Sequence, residues 1–145
     1  MIEMLIVFVV FAAVAAISVR SVGDTLRRDR LSKTASILSA DLEQGFAIAA
    51  RLRLPVRMTI DSANRTITIA DRANSALKYR SRSFTSTGDM SLDFLQTNRS
   101  TIDIMPNGLA TDTLNLKLGI YSKNNTLYTK SVRVSLAGLV RVDNR

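Results

Sequence analysis

The sequence predicts an α+β fold: one long N-terminal helix, its first half membrane-spanning, packed by its second half on a small antiparallel β-sheet domain. Three observations carry this. An apolar run over residues 1–19 continues into a helical-period stripe that reaches about residue 53. Pro55 then forbids the helix from going further, because the residue before a proline is pushed out of the α region. From Val56 onward the period drops to two, in short runs separated by turn chemistry.

The first stretch, MIEMLIVFVVFAAVAAISV, holds a single charge at Glu3, and the next formal charge is Arg20. Eighteen or more apolar residues with so few charges read as a membrane-spanning helix, here ~28 Å long at ~1.5 Å per residue. A carboxylate inside such a run is costly unless a cation meets it. Two other readings place less weight on that acid. In an ordinary anchor Glu3 sits at one interface. In a secretory signal peptide, Ala13-Val14-Ala15 offers a small-residue cleavage site, but an acid stands where the basic region belongs.

Beyond the apolar run, Val22, Leu26, Leu31, Ala35, Leu38, Leu42, Gly45, Ala49 and Leu52 recur three to five residues apart. Phe46 widens this stripe into a packing face against the domain that follows. Arg27, Arg28, Asp29, Arg30 and Lys33 separate the two halves, and Gly23-Asp24 is the one place for a bend. A helix from about residue 2 to 53 would be roughly 75 Å long at the standard rise. The chain therefore divides into a membrane or fibre-core part (1–19), an amphipathic continuation (20–54) and a β-rich domain (55–145).

Val56 to Ile60 and Thr66 to Ala70 alternate around Asp61-Ser62-Ala63-Asn64-Arg65, the pattern of a β-hairpin. A weaker strand falls near residues 77–84. Residues 91–95 and 101–105 alternate again, and Pro106-Asn107-Gly108 closes the second of them. Residues 113–121 hold strict period two and turn at Lys123-Asn124-Asn125-Thr126 into 127–135, whose apolar face carries Val132 and Val134. Ala137-Gly138 makes a tight turn before a last strand at 139–142. The total is seven or eight short strands.

The chain has no cysteine and no histidine, which removes disulfides, thiolate metal sites and the commonest general base. Asp61 with Asp71, or Asp89 with Asp93, could be imagined as carboxylate pairs, but each lies at a turn where Asp bonds the backbone. No phosphate loop, nucleophile elbow or calcium loop is written in the chain, so neither an enzyme nor a cofactor is expected. The net charge of +8, with all twenty Lys and Arg at or beyond Arg20, reads as a positive-inside flank plus solvated surface. A sharper reading is attraction of an anionic polymer. Arg80 and Arg82 beside Tyr79 and Phe84, with Arg133, Arg141 and Arg145, are the candidate DNA-binding residues.

Ile2-Glu3-Met4-Leu5-Ile6-Val7 and the Ala/Val/Ile run behind it resemble the N-terminal segment of type IV pilins and pseudopilins, whose mature pattern is Phe-Thr-Leu-Ile-Glu-Leu-Leu-Ile-Val. The family's basic leader, cleavage glycine and Phe-Thr pair are not found among these residues. Residues 101–108 and 132–140 are similar to the closing strands of the GspH/FimT-type pseudopilin domain. The resemblance implies a minor pseudopilin of a type II secretion system or type IV pilus. Its Glu3 would meet the N-terminal amine of a neighbouring subunit. It would be held single-pass in a bacterial inner membrane, the β domain facing the periplasm or an extracellular fibre and touching other subunits or secreted cargo. FimT-like members are linked to DNA uptake through a basic C-terminal Gly-Arg-x-Arg-like turn. Gly138-Leu139-Val140-Arg141 keeps the glycine and the later arginine. A competence-type pilin that binds DNA, or a single-pass protein whose β domain binds a partner, are the alternatives.

Overall fold

The computed structural model describes residues 2–85, 90–122 and 125–144, with side chains at all of these except 5, 16–21 and 144. One helix, α1 (Ile2–Leu52), is followed by eight strands. These are β1 (Val56–Asp61), β2 (Thr66–Asp71), β3 (Lys78–Ser83), β4 (Phe94–Thr97), β5 (Thr101–Ile104), β6 (Leu114–Tyr121), β7 (Leu127–Val134) and β8 (Val140–Asn144). They form not one sheet but two antiparallel four-stranded sheets, ordered β3-β2-β1-β5 and β4-β6-β7-β8. The helix lies against both, touching β1 and β5 of the first and β6, β7 and β8 of the second.

The amphipathic stripe docks as expected over its middle. Leu31, Ala35, Leu38, Leu42 and Ala49 are buried, one or two turns apart on one helix face. Gly45 lies on the same face, where a Cβ would collide with the Met58 side chain, so its absence lets α1 settle closely onto β1. The sheets answer with alternating inward residues: Val56, Met58, Ile60, Ile67, Ile69, Ile102 and Ile104 from the first, Leu114, Leu116, Leu118, Val132 and Val134 from the second. Period-two patterning is thus converted into one shared core.

At its ends the stripe departs from expectation. Val22 and Leu26 are exposed, and Leu52 is only part-covered. At the level of residues 24–32 the helix is held by polar groups instead. The Ser122 hydroxyl donates to Asp24 (2.7 Å), the Arg28 guanidinium lies 4.6 Å from the centroid of the Tyr128 ring, and Lys130 Nζ donates to Ser32 (2.9 Å). Asp24, Arg28 and Ser32 are four apart, one polar face that meets β7 and the residue just after β6. The helix runs through Gly23 without a break. It stops at Leu52, because Arg53 takes a left-handed conformation (φ 55°) that ends the helix just ahead of Pro55.

Among the described residues no helix is long and apolar enough to cross a membrane. What the structure does show is an exposed apolar rod: Ile6, Phe8, Val10, Phe11 and Val14 all project outward.

Turn residues behave as their chemistry dictates. The Asn64 amide donates to Asp61 (3.0 Å) and closes the β1–β2 hairpin, and Gly108 and Gly138 both adopt the left-handed φ that their turns require. Arg65 is also left-handed (φ 48°). Its guanidinium donates to the carbonyls of Leu92 (2.6 Å) and Asp93 (3.2 Å), tying the hairpin of the first sheet to the start of the second.

Candidate functional site

Two surfaces have the chemistry to act. The first is the free half of α1. Ile2, Met4, Val7, Phe8, Val9 and Phe11 are between 61% and 74% exposed, all round the helix rather than along one stripe. A helix apolar on every side is suited to burial among other apolar elements. Glu3 sits in its first turn, where an acid also complements the helix dipole.

The second is the outer face of the β4-β6-β7-β8 sheet. Antiparallel register places Asn115 opposite Arg133 and Arg133 opposite Arg141, while Lys117 faces Ser131 and Ser131 faces Asp143. Side chains paired in this way share a face. Asn115, Lys117, Thr129, Ser131 and Arg133 line a shallow open groove there. Arg133 pairs with Asp143 at 3.2 Å across β7 and β8. Phe94 covers Gly119 on the same face, its ring 6.3 Å from that of Tyr121.

The five arginines expected to bind DNA do not form one site. Arg80 and Arg82 lie on β3 opposite Ile69 and Ile67, so both point to the core side of the first sheet. There they meet Asp41 of α1, which is buried. Arg80 pairs with it at 2.7 Å and reaches Gln44 at 2.5 Å, and Arg82 grips both oxygens of the same carboxylate. Their charge is spent locking an edge strand to the helix. Arg133 and Arg141 are neighbours on the other sheet, and Arg145 lies outside the described residues.

The imagined carboxylate pairs resolve into local turns. Asp71 accepts the amides of Ala73 (2.7 Å) and Asn74 (3.0 Å) and the Tyr79 hydroxyl, and the backbone donors hold its carboxyl below the usual range. Asp61 is depressed in the same way by Asn64. Asp93 accepts the Tyr121 amide at 2.6 Å, and Asp89 lies outside the described residues. Asp103, which the sequence did not single out, is the more heavily engaged acid. Arg57 clasps both its oxygens (2.7 and 3.0 Å) and Arg72 reaches it at 3.1 Å, so its carboxyl is also held low, chiefly by the Arg57 hydrogen bonds.

Asp41 was the residue most open to discovery from sequence. An Arg-x-Arg on a short alternating strand puts two cations on one face, and an inward face needs an acid from a neighbouring element. The Asp24, Arg28 and Ser32 spacing was readable by the same logic. What hid both was the apolar stripe running beside them.

No protein-family model matches the chain, and no curated protein matches it in sequence. Among solved structures, the chain is similar to the type IV minor pilin FimU of Pseudomonas aeruginosa PAO1, seen in two crystal forms. One gives a TM-score of 0.63 at 13% identity over 80% of this chain and 90% of that one. The other gives 0.59 at 15% identity over 78% and 92%. At this identity the likeness speaks to architecture, and the fold of this chain matches that of FimU: a long N-terminal helix packed on antiparallel sheets.

Proposed function

We propose that the chain is a structural subunit of a pilus-type fibre, a minor pilin or pseudopilin, that assembles through the free half of α1. The observation that carries this reading is the contrast along one continuous helix: residues 31–49 are anchored in a core, while residues 6–15 hold an apolar surface out to solvent. An unsupported apolar rod on a well-packed domain is stable only where other apolar elements enclose it. In a fibre these would be the helices of neighbouring subunits, and before assembly the inner membrane. Glu3 would neutralise the N-terminal amine of a neighbour and so set the register between subunits, a role that a lone anchor does not need. The β domain then faces the periplasm or the exterior, contacting other subunits or cargo. The machine would be a type II secretion system or a type IV pilus.

The test is Glu3→Gln in the full chain. Incorporation into sheared fibres should fall severely, while the unfolding transition of the β domain stays where it was. Unchanged incorporation would overturn the fibre mechanism.

A second reading rests on the basic outer face of the β4-β6-β7-β8 sheet. Two arginines directly opposite each other repel unless an anion lies between or beside them. Arg133 and Arg141 are so placed, with Lys117 on the same face and Asp143 as the neighbouring acid. A polyanion such as DNA is the ligand this favours. Arg80 and Arg82 would take no direct part in it, given their hold on Asp41. Duplex DNA should be shifted in a salt-dependent way and less by Lys117→Glu; no shift at low salt removes the reading.

A further inference from the structure

The two sheets do not reach equally far along α1. In the first, Arg82 lies level with Ile67 and Ile60, next to the β1–β2 turn, and meets Asp41. In the second, Ser122 at the end of β6 meets Asp24, and Tyr128 at the start of β7 meets Arg28. Asp24 and Asp41 are about 25 Å apart along the helix, so of the two sheets it is the second that extends toward the free half. The corner it presents there is apolar and aromatic. Tyr121 and Leu127 pair across β6 and β7 on the outer face, 46% and 40% exposed, with the Phe94 ring beside Tyr121. On the far side of α1, Val22 and Leu26 are exposed at the same level, since residues two apart from Asp24 lie ~200° round the helix.

We propose that this end of the β domain docks on the headgroup layer of an anionic bilayer. The inference rests on the reading above, in which the free half of α1 enters a membrane before assembly. The apolar run of the sequence ends at Val19, and its ~28 Å fills a hydrocarbon core of about 30 Å. Core and headgroups together measure about 40–45 Å, which leaves each headgroup layer on the order of 5–8 Å. Asp24 lies ~7 Å beyond Val19 along the helix, and Arg28 ~13 Å. Ser122, with Tyr121 and Leu127 beside it, therefore stands within the layer, while Tyr128 marks its outer side. The first sheet, about 25 Å farther out, stays clear of it.

The chemistry suits that depth. Tyrosine belongs at a membrane interface because its ring is apolar and its hydroxyl is wet. Residues 20–33 carry Arg20, Arg27, Arg28, Arg30 and Lys33 against Asp24 and Asp29, a net charge of +3. Asp24 is engaged already, by the Ser122 hydroxyl and by Arg27 at 3.4 Å. An excess of cations this near the surface selects anionic lipid, and guanidinium groups pair well with phosphate. Higher on the outer face, Lys117 and Arg133 add the same sign. A membrane plane also accounts for what a protein partner would not. The exposed apolar residues stand on opposite sides of the unit, Val22 and Leu26 on one and Tyr121 and Leu127 on the other, yet share one level. A one-sided partner covers one set, whereas a plane pierced by the helix covers both.

The experiment uses the full chain in vesicles of phosphatidylcholine with or without phosphatidylglycerol. The chain has no cysteine, so single thiols at Phe8→Cys, Leu127→Cys and Leu139→Cys can each carry a fluorophore. Leu139 is the far control, because its turn packs on Phe46. Phe8 should be quenched by acyl-chain spin labels in both lipids. Leu127 should be quenched by headgroup spin labels in the anionic vesicles, and Leu139 by neither label. Tethering alone keeps the domain near any bilayer, so dependence on charge is decisive. Quenching at Leu127 should fall severalfold in pure phosphatidylcholine and at high salt. Arg27→Gln with Arg28→Gln should reproduce that fall, and Arg27→Lys with Arg28→Lys should not. Should the glutamine pair disturb folding, the salt and lipid series on the unaltered arginines carries the same comparison. Quenching at Phe8 without quenching at Leu127, or quenching at Leu127 indifferent to lipid charge, overturns the docking and leaves the fibre reading intact. An unquenched Phe8 overturns the membrane stage of that reading, and the docking with it. Protection of Leu127 that follows protein density rather than lipid charge assigns the corner to a neighbouring subunit and overturns the docking as well.

Discussion

The two halves of α1 share one continuous helix, but not a fate. Residues 31–49 bury Leu31, Ala35, Leu38, Leu42 and Ala49 against two sheets, while Ile6, Phe8, Val10 and Phe11 of the first half stay in the open. Apolar content therefore does not decide burial within one chain; the presence of a complementary surface does. The second half has a face, because its apolar residues recur on one side and polar ones fill the rest. The first half has none, because it is apolar on every side. A one-faced helix finds its partner in its own chain, and an all-round apolar helix has to find it elsewhere. The basic residues repeat the contrast on a smaller scale. Arg80 and Arg82 are absorbed by an internal acid, whereas Arg133 and Arg141 stand on an outer face.

The comparison breaks most sharply at Leu38, which is fully buried where helix meets sheets. Leu38→Ala should cost about 2–5 kcal/mol through lost burial and the cavity left behind. A urea unfolding curve measures it; a midpoint close to the parent's would show that the docked half does not support the β domain. Next in size is Asp41→Ala, which strands two arginines on the core side of an edge strand. Loss of one partner of a fully buried pair is worth about 3–5 kcal/mol. The guanidinium groups here are partly exposed, and solvent screening brings the expected loss to about 1–3 kcal/mol. Joint replacement of Asp41, Arg80 and Arg82 by apolar residues of similar volume should recover much of it. If the Asp41→Ala loss proves negligible, the clamp is ornamental and the β3 arginines are free for a ligand after all.

A smaller effect comes from acid. Asp103, Asp71 and Asp61 all have carboxyls held below their ordinary value in the folded chain, by Arg57, by the amides near Asn74 and by Asn64 respectively. A depressed folded pKa means that the folded state favours the charged form. The resulting stability is complete above the unfolded value near 3.8 and is lost as pH falls through the folded values below it. Unfolding midpoints should therefore be flat from neutral pH down to about pH 5 and then decline. Asp103→Asn should lower the plateau and flatten the decline, because it removes the acid that joins β1 to β5 through Arg57. An equally steep decline in that variant would move the acid sensitivity elsewhere.

Much of this architecture was written in local pattern. The helix ends within a residue of the expected place because Pro55 sets a limit, and β6 and β7 lie where strict alternation put them. The strand near residues 77–84 is β3, despite its polar sequence. Other features could not be read locally. The division into two sheets depends on β1 pairing with β5 and on β6 lying between β4 and β7, contacts between segments distant in sequence that no period encodes. The first half of the stripe was misread for a related reason. Val22 and Leu26 fit the helical period, but at their level the sheet offers Ser122, Tyr128 and Lys130, so polar residues dock there instead. Of the surfaces able to act, Glu3 and the apolar run were plain from composition. The split of the arginines into a clamp and an outer face required knowing which side of β3 meets the helix.

The smallest expected effect on stability sharpens the comparison from the other side. Phe11 is 74% exposed and touches nothing in the core, so Phe11→Ala should shift the unfolding midpoint by no more than ~0.5 kcal/mol. The same truncation removes a large apolar group from the surface that a fibre or bilayer would enclose, and burial of such a side chain is worth about 1.5–3 kcal/mol. Its cost should therefore surface only in association: self-assembly on detergent dilution should fall severalfold while urea denaturation is unmoved. Leu38→Ala should give the reverse pattern in folding, and the pair of variants separates a helix half that holds the subunit together from one that holds subunits to each other. A Phe11→Ala chain that lost stability as Leu38→Ala does would mean that the free half folds back onto its own domain in solution, and the division between the two halves would be gone.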